Sequence, residues 1–345
     1  MLKYRFHVVV FIAASLILAA GCVKEEKDSS SAPRRYQATR EMMGTFITVT
    51  VWANDEQQGQ KAVDAAFEQM HLVDLSMSDY NPDSELSKIN REANDRAVDV
   101  SDRMLEVLKA SLMYSELSDG GFDITMRPLK NLWKSAEKTG VMPDDDTINS
   151  VLASVGYKNV ELDEQAKTVR FLKPAMELDL GGIAKGYAGD LAVAELKRLG
   201  IQSALVNVGG NVVVLGTPPS LTSWKIGIQD PKNLNKSLPE VIHLKKGAVA
   251  TSGDYERFFE IDGKRYSHVF DPRTGRPIEN MSSVTVVAPD GISSDALSKI
   301  SVLGPDAGLA LAAKLTDVEA MFIVNRPEGL QVIKSPGFDK LLAGE

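Results

Sequence analysis

The sequence predicts an α+β fold in which largely antiparallel sheets pack with helices. Three observations carry that expectation. Strand-like segments come in runs between helices instead of alternating with them one for one, a pattern that disfavours a parallel β-α-β sheet. Double glycines stand at Gly120-Gly121, Gly181-Gly182 and Gly209-Gly210, each where one periodic segment gives way to another and the backbone must turn or approach something closely. Hydrophobic content of 43% and charged content of 25% over 345 residues are globular values, and no repeat of solenoid period is present.

The first residues follow a different rule. Lys3 and Arg5 precede an apolar run, Val8 to Ala20, and Leu18-Ala19-Ala20-Gly21-Cys22 offers small residues for cleavage. Residues 1–21 therefore read as a secretory signal whose apolar part is too short to span a bilayer. Cys22 is the single cysteine of the chain. Placed directly after the cleavage site, it resembles a bacterial lipoprotein box, with Ala19 where Leu is usual. The expectation is an exported protein, lipid-anchored at Cys22 on the periplasmic side of a bacterial membrane, with no intramolecular disulfide. Residues 22–37, rich in Lys, Glu, Ser and Arg, read as a flexible tether, and 38–340 as the folded domain. The net charge of −8 becomes −10 once Lys3 and Arg5 leave with the signal, which argues against nucleic-acid binding.

In chain order, Thr45–Trp52 alternates as a strand with one wet face, just after Met43-Gly44. Gln57–Leu75 carries Val63, Ala66, Phe67, Met70 and Val73 at helical spacing. A polar loop, Met77–Asn90, holds the aromatic Tyr80 and leads into a short helix starting near Asp83 or Ser84. Ser101 can cap a helix running to Leu117. Gly120 through Thr125 follows, then Pro128-Leu129, Trp133 and a polar connector over 138–146. Val169–Leu172 and Met176–Leu180 pair in expectation as a hairpin. After a helix over Tyr187–Leu199, strands are expected at Ala204–Val208, Asn211–Leu215, Trp224–Ile228, Val241–Leu244, Ala248–Thr251, around Phe258–Ile261, and at Val284–Ala288. Helical segments at Ser294–Leu303 and Pro305–Leu315 precede closing strands at Ala320–Asn325 and Leu330–Ile333.

The chain is organised around Asp179-Leu-Gly-Gly-Ile-Ala-Lys-Gly186. Two glycines before a helix admit a bulky charged group, and a helix start offers unpaired N–H groups to an anion. Lys185 adds a charge there and Asp179 an acceptor, which together suit a phosphate-bearing ligand. The spacing is neither a P-loop nor the dinucleotide fingerprint, and an ordinary strand-turn-helix connection carrying a lysine fits it as well. His268 stands near Asp271 and Arg273, a grouping suited to proton transfer and phosphate contact or to a turn braced by an Asp–Arg pair. Ser294-Asp295 opens a helix, where a carboxylate serves as a cap or as a magnesium ligand. There is no Cys/His zinc spacing and no G-x-S-x-G elbow.

From about Ala38 to Leu330 the chain resembles the FAD:protein FMN transferases, the ApbE family of flavin-transferring lipoproteins. The resemblance rests on Met43-Gly44-Thr45, the Met77–Asn90 loop, Gly121-Phe122-Asp123-Ile124-Thr125 with Pro128-Leu129, the Asp179–Gly186 segment, and His268 to Gly275, with Ser252-Gly253-Asp254 upstream and Asp295-Ala296-Leu297 downstream. It implies two intertwined subdomains around a flavin cleft, and Mg²⁺-dependent transfer of FMN from FAD to a Ser or Thr hydroxyl of an acceptor protein, with release of AMP. Met43, Tyr80, Gly121, Phe122, Asp123, Asp179, Lys185 and Val269 would line the FAD site, and His268 would lie near the transferring phosphate. Gly182, through its carbonyl, and Asp295 would hold the magnesium. The family commonly has Thr four residues after that aspartate; here the position is Lys299, preceded by Ser298, and an ammonium cannot ligate a metal. Either Ser298 supplies the oxygen, or the metal is held more weakly, or Lys299 replaces part of its charge. The implied acceptors are flavinylated subunits of membrane electron-transfer complexes. Hydrolysis of FAD to FMN and AMP, or flavin binding without turnover, are the alternatives.

Overall fold

A computed structural model describes residues 32–343, except 232, 254–257, 262–263 and 279–280. The expected signal, Cys22 and Asp254 lie outside the described residues. The chain divides into Met1–Ala32 and Pro33–Glu345, and the second unit carries every element below.

Met43 and Gly44, with φ of 53° and 67°, turn β1 (Arg34–Met42) back on β2 (Thr45–Ala53). β1 starts inside the stretch expected to be tether. It is an edge strand whose Tyr36, Ala38 and Met42 pack on the core while Arg34, Arg35, Arg40 and Glu41 face water. Charge on an edge strand discourages pairing with other chains, and it gave this segment the composition of a linker. Next come α1 (Glu56–Met77), α2 (Glu85–Glu92), β3 (Val98–Asp99) and α3 (Asp102–Leu117). Ser84 and Ser101 cap α2 and α3 by accepting from the Ser87 and Met104 amides at 3.0 and 3.2 Å. The polar connector contains the end of α4 (Arg127–Thr139) and the start of α5 (Asp145–Leu152). β4 (Val160–Asp163) and β5 (Thr168–Phe171) follow, then α6 (Ala184–Arg198), β6 (Ala204–Val208), β7 (Asn211–Leu215), β8 (Trp224–Asp230), β9 (Asn233–Leu244) and β10 (Gly247–Gly253). The chain ends with β11 (Phe258–Ile261), β12 (Lys264–Ser267), β13 (Phe270–Asp271), β14 (Arg276–Pro277), β15 (Met281–Ala288), α7 (Gly291–Leu297), a 3₁₀ segment (Ser298–Leu303), α8 (Gly304–Ala312), β16 (Glu319–Arg326), β17 (Gly329–Lys334) and α9 (Phe338–Ala343).

Eight strands form one sheet in the order β1-β2-β6-β7-β10-β15-β16-β17, each neighbouring pair antiparallel. Alternation buries both faces. Ile47, Val49, Val51, Val206, Val284 and Val286 meet Val63, Phe67 and Met70 of α1 and Ala188 and Ala192 of α6 in the larger apolar cluster. On the other face Val212, Val214, Val249 and Ile323 meet Trp224 and Ile242 of the β8–β9 hairpin and Phe338 of α9. Two excursions from this sheet build the rest. The segment between β2 and β6 contributes α2–α5 and a three-stranded sheet, β3-β5-β4. The segment between β10 and β15 contributes Ile261 and Phe270, which pack on Trp133 and Ile148 of α4 and α5. The α+β class and the interleaving of two substructures along the chain are thus both present.

Met176–Leu180 is not the second arm of a hairpin. β5 pairs with β3 and β4 instead. Met176, Leu178 and Leu180 are buried in alternation, which gives the period of a strand, but on one edge the backbone of Met176 and Leu178 is satisfied by side chains. Asn94 accepts from the Met176 amide at 3.2 Å and donates to its carbonyl at 3.1 Å. Asn90 does the same for Leu178 at 2.7 and 3.0 Å. Two asparagines, Asn90 on α2 and Asn94 in the turn that follows it, take the place of a neighbouring strand here.

Candidate functional site

Suspended in this way, the chain enters the Asp179–Gly186 turn. The Asp179 amide donates to the Ile124 carbonyl at 2.7 Å, which lays the turn beside Gly121-Phe122-Asp123. A Cβ on Gly182 would lie 3.2 Å from Phe122 Cε2 and 3.4 Å from Lys299 Cε, so only glycine fits easily between them. Gly181 N–H donates to Asp179 Oδ1 at 2.7 Å. α6 begins at Ala184, so Lys185 stands in its first turn and donates to the Gly181 carbonyl at 3.0 Å.

A network of charges flanks one side of the turn. Lys130 donates to Asp179 Oδ2 at 2.6 Å and lies 3.4 Å from Asp79 Oδ2. Arg127 pairs with Asp79 at 2.8 Å and with Glu177 at 3.0 Å. Burial pushes the Asp179 carboxyl up, but Lys130, the Gly181 amide and Arg127 outweigh it and hold it below the usual carboxylate range. Tyr80, next to Asp79, is 75% exposed at the rim of this network, free to present its ring to a ligand.

The other side of the turn is Asp295, fully buried on α7. Its Oδ2 accepts from Gly186 N–H at 3.0 Å, and its Oδ1 lies 3.3 Å from Lys299 Nζ and 4.0 Å from Lys185 Nζ. Here too burial pushes the carboxyl up, and the two lysines with the Gly186 amide bring it below its ordinary value. A close helix crossing delivers the carboxylate: a Cβ on Gly186 would overlap the Gly291 carbonyl and lie 2.8 Å from Asp295 Cβ. Asp190 of α6 fastens the same crossing by accepting from the Gly291 and Ile292 amides at 2.6 and 2.8 Å.

Lys299 sits in a built seat. Its ammonium donates to Ser252 Oγ at 2.7 Å and Ser298 Oγ at 2.8 Å, besides Asp295. The two hydroxyls lie 2.8 Å apart, and Ser298 donates to the Asp295 carbonyl at 2.7 Å. The resemblance gives magnesium to Gly182 and Asp295, with Ser298 as one candidate for the missing third oxygen, and the residues present do not fit that ion. With Nζ 2.8 Å from Ser298 Oγ, an ion bonded to that oxygen at about 2.1 Å would stand within about 5 Å of the ammonium. Repulsion there is about 6 kcal/mol or more at an effective dielectric of about 20. The lysine would have to leave its seat.

The remaining expected residues have these surroundings. Met43 occupies the β1–β2 turn, its amide donating to Asp74 Oδ2 at 3.2 Å. Gly121 packs on Val302 and Leu303 of the 3₁₀ segment. Asp123 spends its carboxylate on the loop: Oδ1 accepts from the Thr125 amide and hydroxyl at 2.8 and 2.7 Å, and Oδ2 from the Tyr157 amide at 2.8 Å. Burial raises its pKa. His268 and Val269 lie between β12 and β13, both partly buried. Asp271 and Arg273 form the turn brace, a bidentate pair at 2.9 and 2.8 Å, with Arg273 also donating to the Val302 carbonyl at 3.1 Å. Sequence reasoning missed Lys130, Arg127 and Asp79. The three-residue spacing of Arg127 and Lys130 around Pro128-Leu129 was the available signal, since it puts both on one helix face.

The ApbE family profile matches residues 43–322. The chain belongs to the ApbE family. It is 33% identical to a protein named FAD:protein FMN transferase from Vibrio cholerae, over 96% of this chain and 97% of that one. Among solved structures, the ApbE protein of Thermotoga maritima superposes with a TM-score of 0.81 at 31% identity, covering 90% of this chain and 99% of that one. The apo flavinyl transferase ApbE of Pseudomonas stutzeri gives 0.80 at 31% identity, covering 92% and 99%. The α+β architecture described above is the fold of these proteins.

Proposed function

We propose that the protein is an FAD:protein FMN transferase, moving the FMN half of FAD onto a Ser or Thr hydroxyl of an acceptor protein. The observation that carries this reading is the glycine turn at the start of α6, with Lys185 and Lys299 on one side and the Asp179–Lys130 pair on the other. Ammonium groups gathered at the positive end of a helix suit a diphosphate, and FAD holds its diphosphate between the two halves that must part.

In the reaction the acceptor oxygen attacks the FMN phosphorus. The bond from that phosphorus to the bridging oxygen breaks, AMP leaves with the electron pair, and the hydroxyl proton passes to solvent. The protein's part is positional and electrostatic, as is usual in phosphoryl transfer. Lys185, on the first turn of α6, offsets negative charge on the diphosphate; Tyr80 offers aromatic surface for the flavin, with Phe122 packed beneath the glycine turn; the resemblance assigns His268 a place beside the transferring phosphate. No step is routed through magnesium, because Lys299 occupies its donor set.

The expected signal and Cys22 support an exported, lipid-anchored enzyme whose acceptors are subunits of membrane electron-transfer complexes. The test is incubation with FAD and a candidate acceptor peptide, read by mass spectrometry. Covalent FMN on the peptide with free AMP supports transfer. Free FMN and AMP in equal amounts would make the protein a pyrophosphatase, and intact FAD a binder without turnover.

A further inference from the structure

We propose that Lys130 is a positioning residue for FAD: it fixes the orientation and the negative charge of the Asp179 carboxylate, which then accepts a hydrogen bond from an N–H or O–H of the bound dinucleotide. The proposal rests on the transferase reading for the identity of the ligand. Asp179 is pinned through both oxygens, Oδ2 by Lys130 Nζ at 2.6 Å and Oδ1 by the Gly181 amide at 2.7 Å. With a donor on each oxygen, the carboxylate cannot turn without breaking one of the two bonds. A carboxylate offers about four acceptor sites, so these donors leave it room for a ligand, and 12% of the side chain stays open to one. FAD carries suitable donors in its imide N–H, its sugar hydroxyls and its amino group.

The place of Lys130 follows from α4. Leu129, Trp133 and Ala136 bury one face of that helix, and Arg127 and Lys130, three residues apart, share another. Arg127 directs its guanidinium to Glu177 at 3.0 Å and to the Asp79 carboxylate at 2.8 Å and carbonyl at 3.2 Å, which leaves Asp179 to Lys130. Among the described residues, the charged groups around Asp179 are these two cations of α4, Asp79 beside Tyr80, and Glu177 on its own strip. Without Lys130, the carboxylates of Asp79, Asp179 and Glu177 would share one guanidinium. Burial and like charge both favour the neutral acid in such a group. A protonated carboxyl can donate where the ionised one only accepts, and Oδ2 would no longer be held. Lys130 thus sets both the direction and the sense of the hydrogen bond that Asp179 makes to the ligand.

The experiment is FAD titration of the purified protein by flavin fluorescence at about pH 5 and about pH 8, which bracket the range of a carboxyl raised by burial. Wild type, Lys130→Met, Lys130→Gln and Lys130→Arg are compared, with urea unfolding as the control for the fold. Each variant is set against wild type at the same pH, so that groups titrating in all four proteins cancel. Lys130→Met should bind FAD about tenfold or more weakly than wild type at the lower pH, since a shift of about one pKa unit is a factor of ten. It should recover part of that loss at the higher pH, where Asp179 ionises again. Lys130→Gln, neutral but still a donor, should show the same pH dependence. Lys130→Arg, which restores charge and donor together, should follow wild type at both. Neutral variants that match wild type at both pH values overturn the proposal. So does a loss of equal size at both, which makes Lys130 a structural prop or a direct ligand contact, and so does a Lys130→Arg protein that behaves as Lys130→Met. Each of these leaves the transferase reading in place, whereas absence of FAD binding by wild type overturns both. The Lys130 side chain is 38% exposed, and if Lys130→Met nonetheless fails to fold, Lys130→Gln decides.

Discussion

Replacing Gly186 by Ala forces the α6–α7 crossing apart and tests whether its closeness serves the ligand site. Two effects oppose each other. Alanine in a helix interior is favoured over glycine by about 1 kcal/mol. Against this, the new Cβ would overlap the backbone carbonyl of Gly291 and lie 2.8 Å from Asp295 Cβ, where carbon atoms prefer about 3.5–4.0 Å. Backbone cannot rotate aside, so the helices must part, and overpacking of a tight core costs about 1–3 kcal/mol or more. Gly189→Ala is the internal control. It lies on the same helix and gains the same propensity, but its Cβ meets a single Val213 methyl at 2.7 Å, the end of a side chain. Urea unfolding followed by circular dichroism should place Gly186→Ala about 2 kcal/mol or more below wild type and Gly189→Ala within about 1 kcal/mol of it. FAD affinity should fall only in Gly186→Ala, because parting the helices draws Asp295 Oδ2 away from the Gly186 amide. Equal stability of the two variants would refute the reasoning.

Asn90→Ala removes both hydrogen bonds to the Leu178 backbone and leaves buried peptide groups unsatisfied; it should cost about 1–3 kcal/mol in urea unfolding and weaken FAD binding as well. Lys185→Ala should weaken FAD binding by roughly 1.5–3 kcal/mol, read by titration; an unchanged affinity would make the glycine turn a structural connection only. Burial pushes the Asp190 carboxyl up to about 7. A carboxyl whose pKa is raised on folding contributes stability that is complete below its unfolded value of about 4 and is lost as pH rises through about 7. Between those limits the stability advantage of wild type over Asp190→Asn should therefore shrink as pH increases, and a constant difference would contradict the assignment.

Much of the fold was legible where one signal had one cause. The β6–β7 hairpin matches its expected residues because two apolar arms, one alternating and one buried throughout, flank Gly209-Gly210, and α3 starts at the serine cap that predicts it. Three misreadings have physical reasons. Met176–Leu180 alternates because its side chains are buried on one side, and periodicity does not say whether a strand or two asparagines satisfy the backbone. β1 looked like a tether because an edge strand needs charge on its wet side. α4 and α5 lay across a polar stretch whose turn, Thr139 to Asp144, was easier to see than the short helices flanking it. In the site, glycines, Asp179, Lys185 and Asp295 were visible from spacing and from the family pattern. Lys130 was not, because its role depends on a carboxylate 49 residues away. Lys299 was visible as an exception, but its seat required Ser252, 47 residues earlier.

The asparagine clasp has a mechanical consequence. α2 with its flanking residues holds 176–178 through Asn90 and, just past its end, Asn94, and it also holds the Tyr80 loop: Ser84 Oγ, at the N-cap, donates to the Ser78 carbonyl and Ser87 Oγ to the Asn81 carbonyl, both at 2.7 Å. One short helix is thus the chassis for the aromatic rim and for the strip that delivers Asp179. Shifting α2 carries both together, because the four side chains that hold them stand on this helix or at its two ends. From Ala184 onward the chain belongs to α6 and its crossing with α7. Between chassis and crossing run Gly181 and Gly182, so the backbone that joins the two parts passes through the glycine turn, held by the Gly181 amide on Asp179.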